Sequence, residues 1–169
     1  KTAIRDNNPV IFFEAGRLAG LKGDVPDGDI AIPFGKADVK RAGSDVTIVA
    51  LAWAVHEALA AAEDLAADGI SAEVIDPRSL APLDTDTIRA SVQQTGRLIV
   101  ADEAPPTARA AAEIATLAVE DAATFRALKA PVARVCALDA PIPYSPALED
   151  HVFPDRKRIA AAARALVRD

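Results

Sequence analysis

The sequence is poor in the residue types from which many active sites are built. Its 169 residues contain no methionine, one cysteine and two histidines, and aromatic residues make up 4% of the chain. The lone cysteine, Cys136, excludes an intramolecular disulfide and a multi-cysteine zinc site, and it suits a reducing, cytoplasmic environment. No glycine-rich phosphate-binding motif follows a predicted strand, which argues against a dinucleotide-binding domain.

Basic charge and long apolar runs are also lacking. Nineteen Lys and Arg residues against 25 Asp and Glu give a formal net charge of −6, which argues against a nucleic-acid binder and against a membrane-surface protein. The near-continuous apolar run at 46–55 is about half the ~20 residues that a membrane-spanning helix needs. The sequence does contain 51% hydrophobic residues, enough for the buried core of one ordinary globular domain.

Apolar runs alternate with helical patterns along most of the chain. Strands are predicted at 37–41, 46–52, 72–76, 97–101 and 132–138, and helices at about 55–68, 84–93, 107–123 and after Pro154. This alternation indicates right-handed βαβ units and a mostly parallel sheet, so we predict a three-layer α/β/α domain over 36–169.

Two segments stand apart from this alternation. The apolar run 10–13 follows Asn7-Asn8-Pro9 and predicts a short buried strand. The next stretch, 15–33, has no periodicity and is interrupted repeatedly by glycine and proline. A stretch of that length without periodicity is too long for an ordinary connection, so we predict a linker or a functional loop.

Polar residues are predicted at the carboxyl ends of the parallel strands. Open α/β sheets usually bind their ligands in a crevice at this edge of the sheet. These residues are Trp53, Asp76, Arg78, Asp102 and Glu103. An ion pair of Arg78 with Glu103 or with Asp102 is one interpretation. Plain capping and pairing at strand ends is the other.

The remaining candidates for chemistry are few. His56 falls in the first turn of a predicted helix, His151 falls in a proline-rich loop, and Cys136 falls within a predicted strand. Because no nucleophile motif accompanies them, we predict structural or surface roles for all three and no catalytic residue in this chain. The last helix has five basic residues against two acidic ones over 155–169. That pattern indicates either a solvated basic face or a docking surface for an acidic partner.

One long phrase and five shorter ones resemble a known family. The segment 73–88 reads EVIDPRSLAPLDTDTI, and the phrases at 8–14, 32–37, 43–49, 95–100 and 140–144 agree in order and spacing. Together they resemble the C-terminal domain of transketolase-like thiamine diphosphate enzymes. The match is best to the beta subunit of the E1 component of 2-oxo-acid dehydrogenase complexes, of the pyruvate, branched-chain and acetoin types.

This resemblance covers essentially the whole chain and implies a domain organisation. Residues 1–14 correspond to the end of the pyrimidine-binding domain, 15–35 to a linker, and 36–169 to the C-terminal domain. The family fold is a five-stranded, mostly parallel sheet with one antiparallel edge strand. The sequence begins at Lys1 without an initiator methionine, so we expect a fragment of a longer polypeptide.

The resemblance also implies a reaction and its partners. An E1 oxidatively decarboxylates a 2-oxo acid on thiamine diphosphate and Mg²⁺, and passes the acyl group to the lipoyl-bearing E2 acyltransferase. It works as an α2β2 heterotetramer, so an E1 alpha subunit and a second beta subunit are implied partners. The family's catalytic glutamate and histidine would lie upstream of Lys1. We therefore expect this segment to serve subunit assembly and E2 docking, with no cofactor-binding residue of its own.

A potassium site is implied near the beginning of the chain. Carried over by position, Ala3, Asp6 and Asn8 would supply oxygen ligands to K⁺, and a plain turn is the alternative.

One departure from the family lies at Ala108-Arg109, where a glycine-containing pair is usual. Because the loss of glycine restricts the backbone, we expect this loop to be helical.

Two other functions remain open. The chain could be a free-standing adaptor domain that uses the same fold for protein binding alone. It could also be the C-terminal domain of a transketolase or a deoxyxylulose phosphate synthase, although these look less similar around Arg78-Ser79-Leu80.

Overall fold

The computed structural model describes residues 1–168. Its helices are α1 (Thr2–Arg5), α2 (Ala54–Ala67), α3 (Thr85–Thr95), α4 (Ala110–Val119), α5 (Ala122–Ala127), α6 (Pro146–Val152) and α7 (Arg156–Arg168), with a 3-10 helix at Gly16–Gly20. Its strands are β1 (Asp38–Arg41), β2 (Val46–Ala50), β3 (Ala72–Asp76), β4 (Leu98–Asp102) and β5 (Ala133–Cys136). None of the described helices has the length and apolar composition needed to cross a bilayer.

The strands form one sheet in the order β1-β3-β2-β4-β5. β1 pairs with β3 in antiparallel orientation, and the β2–β3, β2–β4 and β4–β5 pairs are parallel. The predicted fold class, a mostly parallel five-stranded sheet with one antiparallel edge strand, is therefore confirmed. The edge strand β1 is short, carries charged residues and has an irregular register between Val39 and Arg41, features that discourage pairing with other chains.

Helices cover both faces of the sheet, because successive side chains of a strand point to opposite faces. In β2, Val46, Ile48 and Ala50 pack towards α2 and α7. Val49 packs on the other side, in the cluster that includes α3 and α4. All five β2 residues are fully buried, as expected for a central parallel strand.

The side of β2 that faces α3 also contains a buried polar group. The Thr47 hydroxyl lies 2.6 Å from the Ser91 hydroxyl and 2.8 Å from the Thr95 hydroxyl. Thr47 and Thr95 are fully buried. Because these hydroxyls bond to one another, the pairing avoids the cost of unsatisfied buried groups and fixes α3 against the sheet.

The predicted helix over 107–123 is two shorter helices. α4 ends at Val119, and Asp121 begins α5 by accepting a hydrogen bond from the Thr124 backbone N–H at 2.8 Å. The expectation that the loop at Ala108-Arg109 is helical is wrong. Ala108 has φ +52°, so this non-glycine residue adopts the left-handed conformation instead of continuing a helix.

The N-terminal segment also differs from its prediction. Residues 10–13 form no strand among the described residues, and Ile11, Phe12 and Phe13 are 80, 74 and 84% exposed. A strand is stabilised only when a neighbouring strand supplies its backbone hydrogen bonds. Within residues 1–168 no strand pairs with this segment, so three large apolar side chains face outwards.

Candidate functional site at the carboxyl edge of the sheet

The crevice that α/β sheets use for ligands lies between the carboxyl ends of β2 and β4. The chain leaves β2 for β3 on one side and later returns to β4 on the other, which makes this the point where strand order reverses. Ala52 turns the chain after β2 with φ +50°. Glu103, directly after β4, accepts a hydrogen bond from the Trp53 backbone N–H at 3.1 Å. A carboxylate of the chain itself therefore lies at the N-terminus of α2, the position at which related folds bind phosphate.

The side chains around Trp53 connect α2 to the last helix. The Trp53 indole N–H donates to Glu57 Oε1 at 3.1 Å, and its ring lies 5.3 Å from that of the exposed His56. Glu57 Oε2 accepts the backbone N–H of Arg156 at 2.8 Å. These contacts fix the start of α7 beside the start of α2, so Trp53 and Glu57 are organising residues of this edge.

Two adjacent carboxyl groups at this edge, those of Asp102 and Glu103, have raised pKa values. Burial raises the pKa of Asp102, against the opposing effect of the Ala104 and Ala111 backbone N–H groups. Burial likewise raises the pKa of Glu103, whose hydrogen bond from Trp53 only partly offsets it. Burial and the nearby Asp102 also raise the pKa of the Cys136 thiol, so Cys136 is a poor nucleophile.

Of the two interpretations of these residues, the ion pair of Arg78 with Glu103 or Asp102 is not formed. Arg78 follows β3, and β2 lies between β3 and β4, which places the two strands about 10 Å apart. Arg78 instead donates to the carbonyl oxygens of Lys36 and Ala37 at 3.0 and 3.2 Å.

The rest of the 77–84 loop binds the same incoming segment. Ser79 Oγ accepts the backbone N–H of Gly35 at 2.9 Å and donates to the Pro82 carbonyl at 2.9 Å. Asp84 accepts the backbone N–H of Ala37 at 3.0 Å. The phrase that carries the family resemblance thus has a structural role, because it fixes residues 35–37, which lead into β1.

The basic residues of α7 are largely used within the domain. Arg156 pairs with Asp64 at 3.5 Å, and Arg164 pairs with Asp68 at 2.6 Å. Arg158 donates to the carbonyl oxygens at the end of α6 at 3.1 and 3.3 Å. This arrangement favours a structural role for the basic face over a docking surface for an acidic partner.

Two of the three residues predicted to bind potassium, Asp6 and Asn8, contact each other just after α1. Asp6 Oδ1 accepts the backbone N–H of Asn8 at 2.8 Å and its side-chain amide at 3.0 Å. These hydrogen bonds lower the pKa of Asp6. Ala3 belongs to α1 itself. Among the residues that the structure describes, no group of three or more His, Cys, Asp or Glu side chains is arranged to hold a metal.

Comparison with known proteins identifies the class to which this fold belongs. The family model for the transketolase C-terminal domain matches residues 35–159, and the chain belongs to that family. Its fold resembles a solved structure described as a split-gene transketolase in an inactive beta4 tetramer. The TM-score is 0.68 at 29% identity, and the match covers 86% of this chain and 46% of the other.

Among individual proteins, the chain is similar to beta subunits of oxidoreductases. It is 52% identical to the beta subunit of acetoin:2,6-dichlorophenolindophenol oxidoreductase of Cupriavidus necator, over 96% of this chain and 47% of that protein. It is 46% identical to the beta subunit of the pyruvate dehydrogenase E1 component of Bacillus subtilis, over 96% of this chain and 50% of that protein. The chain thus spans about half the length of these relatives.

Proposed function

We propose that this chain is part of the beta subunit of a thiamine-diphosphate-dependent E1 component, acting on a 2-oxo acid or on acetoin. The observation that carries the proposal is 52 and 46% identity to such beta subunits over 96% of the chain. The match to a transketolase structure is 29% identical, so the similarity favours an E1 beta subunit over a transketolase. The bacterial relatives and the lone cysteine support a cytoplasmic location.

The proposed organisation places the end of a pyrimidine-binding domain at 1–14, a linker at 15–35 and the C-terminal domain at 36–169. The family match begins at residue 35, and the buried core clusters draw on residues from Ala37 onwards. The exposed side chains of Ile11, Phe12 and Phe13 support the assignment of the first segment to another domain. An apolar surface of this kind is usually covered by protein.

Thiamine diphosphate does not fit the residues at the carboxyl edge. The Glu103 carboxylate occupies the N-terminus of α2, where it would repel a diphosphate and take up the N–H donor that a diphosphate needs. We therefore assign no step of the reaction to these residues. In the proposed enzyme, thiamine diphosphate and Mg²⁺ bind elsewhere, and this segment serves assembly with the alpha subunit and a second beta subunit and docking of the E2 acyltransferase.

A potassium ion is proposed at Ala3, Asp6 and Asn8. Carboxylate, amide and carbonyl oxygens are the ligands that a hard cation prefers, and the direct contact of Asp6 with Asn8 supports the proposal. Replacement of NaCl by KCl at constant ionic strength should raise the melting temperature, and Asp6→Asn should remove the difference. Equal melting temperatures in the two salts would contradict this site.

The enzyme proposal is tested by reduction of 2,6-dichlorophenolindophenol with thiamine diphosphate, Mg²⁺ and either pyruvate or acetoin. The chain alone should be inactive. Activity should appear when a full-length beta polypeptide containing this sequence is combined with its alpha subunit. Turnover by the isolated chain would refute the proposal. Inactivity of the complete assembly, with the chain still binding other proteins, would favour the adaptor alternative.

A further inference from the structure

The 3-10 helix Gly16–Gly20 contacts the body of the domain through the side chain of Arg17. Its guanidinium lies 3.0 Å from Asp150 Oδ1 and 3.7 Å from Glu149 Oε2, both in α6. The guanidinium carbon lies 4.6 Å from the centroid of the Phe153 ring. Arg17 is partly shielded, with 29% of its side chain exposed. One cation thus meets two carboxylates and an aromatic face, a receptor that suits a planar guanidinium.

This contact is located at the carboxyl edge of the sheet. α6 is held there because the Leu138 backbone N–H, just beyond β5, donates to the Val152 carbonyl at 3.0 Å. Arg17 is also close enough to Glu103 to oppose the rise in the pKa of that carboxyl group. The backbone N–H of Arg156, three residues after Phe153, donates to Glu57 Oε2 at 2.8 Å, so the contact of Arg17 lies on the same side of the domain as the start of α2.

Little else fastens this part of the chain to the domain. All residues from 21 to 33 are exposed. The ion pairs of Lys1 and Arg5 with Asp29 join the segment to α1, which itself precedes the domain. The next hydrogen bonds to the domain occur at residues 35–37, through the 77–84 loop. The conformation of residues 21–33, which are rich in glycine, proline and aspartate, is therefore set mainly by the contacts at the two ends of this segment.

We propose that Arg17 is a latch that docks residues 15–20 on α6. Asp150, Glu149 and Phe153 form the receptor. With the latch engaged, the polypeptide that precedes residue 15 leaves the domain in a defined direction, because both ends of the connecting segment are fixed. With the latch open, only the attachment at residues 35–37 remains. This inference concerns the chain itself and does not depend on the proposed enzymatic activity.

Amide hydrogen exchange on the full 169-residue chain tests the latch directly. The reporters are the amides of Leu18 and Leu21, which donate within and just after the 3-10 helix at 2.9 and 3.0 Å. Arg17→Gln should speed their exchange about three- to tenfold, the factor expected for a partly exposed ion pair with a cation–π contact. Arg17→Lys should give a smaller increase, since it keeps the charge and loses the planar stacking. Lys22→Gln, at an exposed position of the same segment, is the matched control and should change nothing.

The partner side gives a second, independent measurement. If both residues act through one contact, the Arg17→Gln/Asp150→Asn double variant should exchange no faster at Leu18 than Arg17→Gln alone. Equal exchange in Arg17→Gln and Lys22→Gln would overturn the proposal, and so would full additivity in the double variant. If Arg17→Gln also speeds the exchange of the β2 amides, the variant has disturbed the whole domain, and the same measurement is then made on Asp150→Asn and Phe153→Leu. Unchanged exchange at Leu18 in both of those variants would then overturn it.

Discussion

Substitution of Asp84 should weaken two parts of the structure at once. Its carboxylate accepts the Thr87 backbone N–H at 3.2 Å and the Thr87 hydroxyl at 2.8 Å, and so caps α3. The same carboxylate accepts the Ala37 backbone N–H at 3.0 Å. Asp84 is 5% exposed, so water cannot readily replace these bonds. Asp84→Ala therefore removes a helix cap and the hydrogen bond to Ala37, just before β1, together.

The magnitude follows from these contacts. Loss of an N-cap costs about 1 kcal/mol, and leaving a partly buried backbone N–H without an acceptor costs about 1–3 kcal/mol. We expect Asp84→Ala to lower the free energy of unfolding by about 2–4 kcal/mol at pH 7. Asp86→Ala is the matched control. Asp86 is an exposed residue in the first turn of the same helix, where a charge contributes a few tenths of a kcal/mol.

Urea unfolding followed by circular dichroism at several pH values provides the measurement. Burial raises the pKa of Asp84, but the hydrogen bonds from Ala37 and Thr87 outweigh it and hold the pKa below its ordinary value of 3.8. The stabilisation from Asp84 is therefore complete above about pH 4 and is lost as the pH falls through the folded-state pKa. The wild-type and Asp84→Ala curves should converge in acid. The reasoning would be refuted if Asp84→Ala lowered the free energy of unfolding no more than Asp86→Ala does. It would also be refuted if the difference in unfolding free energy between the wild type and Asp84→Ala did not change with pH.

Two further substitutions are predicted from local geometry. Gly43→Ala should destabilise the domain by about 2 kcal/mol or more in urea unfolding, because a Cβ at Gly43 would overlap backbone atoms of Ala72 and Glu73. An unfolding free energy equal to that of the wild type would contradict this. Asp102→Asn should be at least as stable as the wild type at pH 7.5. Above pH 4, its free energy of unfolding should also depend less on pH than that of the wild type. Burial raises the pKa of Asp102, so its ionisation costs stability as the pH rises from the unfolded-state value towards the folded-state value. A clear loss of stability in Asp102→Asn at pH 7.5 would contradict that sign.

The sequence pattern predicts strands well where both faces of the strand are buried. β2 and β3 lie within their predicted ranges, because a strand covered on both faces reads as a continuous apolar run. The cap at Asp84 and the end of α3 at Gly96, with φ +75°, also follow local rules. These features depend on residues a few positions apart, which sequence displays directly.

Predictions failed where an element depended on distant partners. The run 10–13 has the composition of a buried strand, yet no described strand pairs with it. α6 was missed within a proline-rich loop, although Pro146 occupies its first turn, where proline is tolerated. Ala108 adopts a left-handed conformation that nothing in its own side chain favours, since the surrounding turn between β4 and α4 dictates it.

The amino-acid sequence alone determined the order of strands and helices, the acidic character of the chain and the family it resembles. These follow from periodicity, composition and short motifs. Only the tertiary structure decided which ends of the strands lie together. The order β1-β3-β2-β4-β5 separates Arg78 from Glu103 and brings Glu103 to Trp53. The tertiary structure also brings Arg17 to Asp150 of α6, although the two residues are 133 positions apart in the sequence. Contacts over such distances depend on how strands pair and helices pack, which no local pattern encodes.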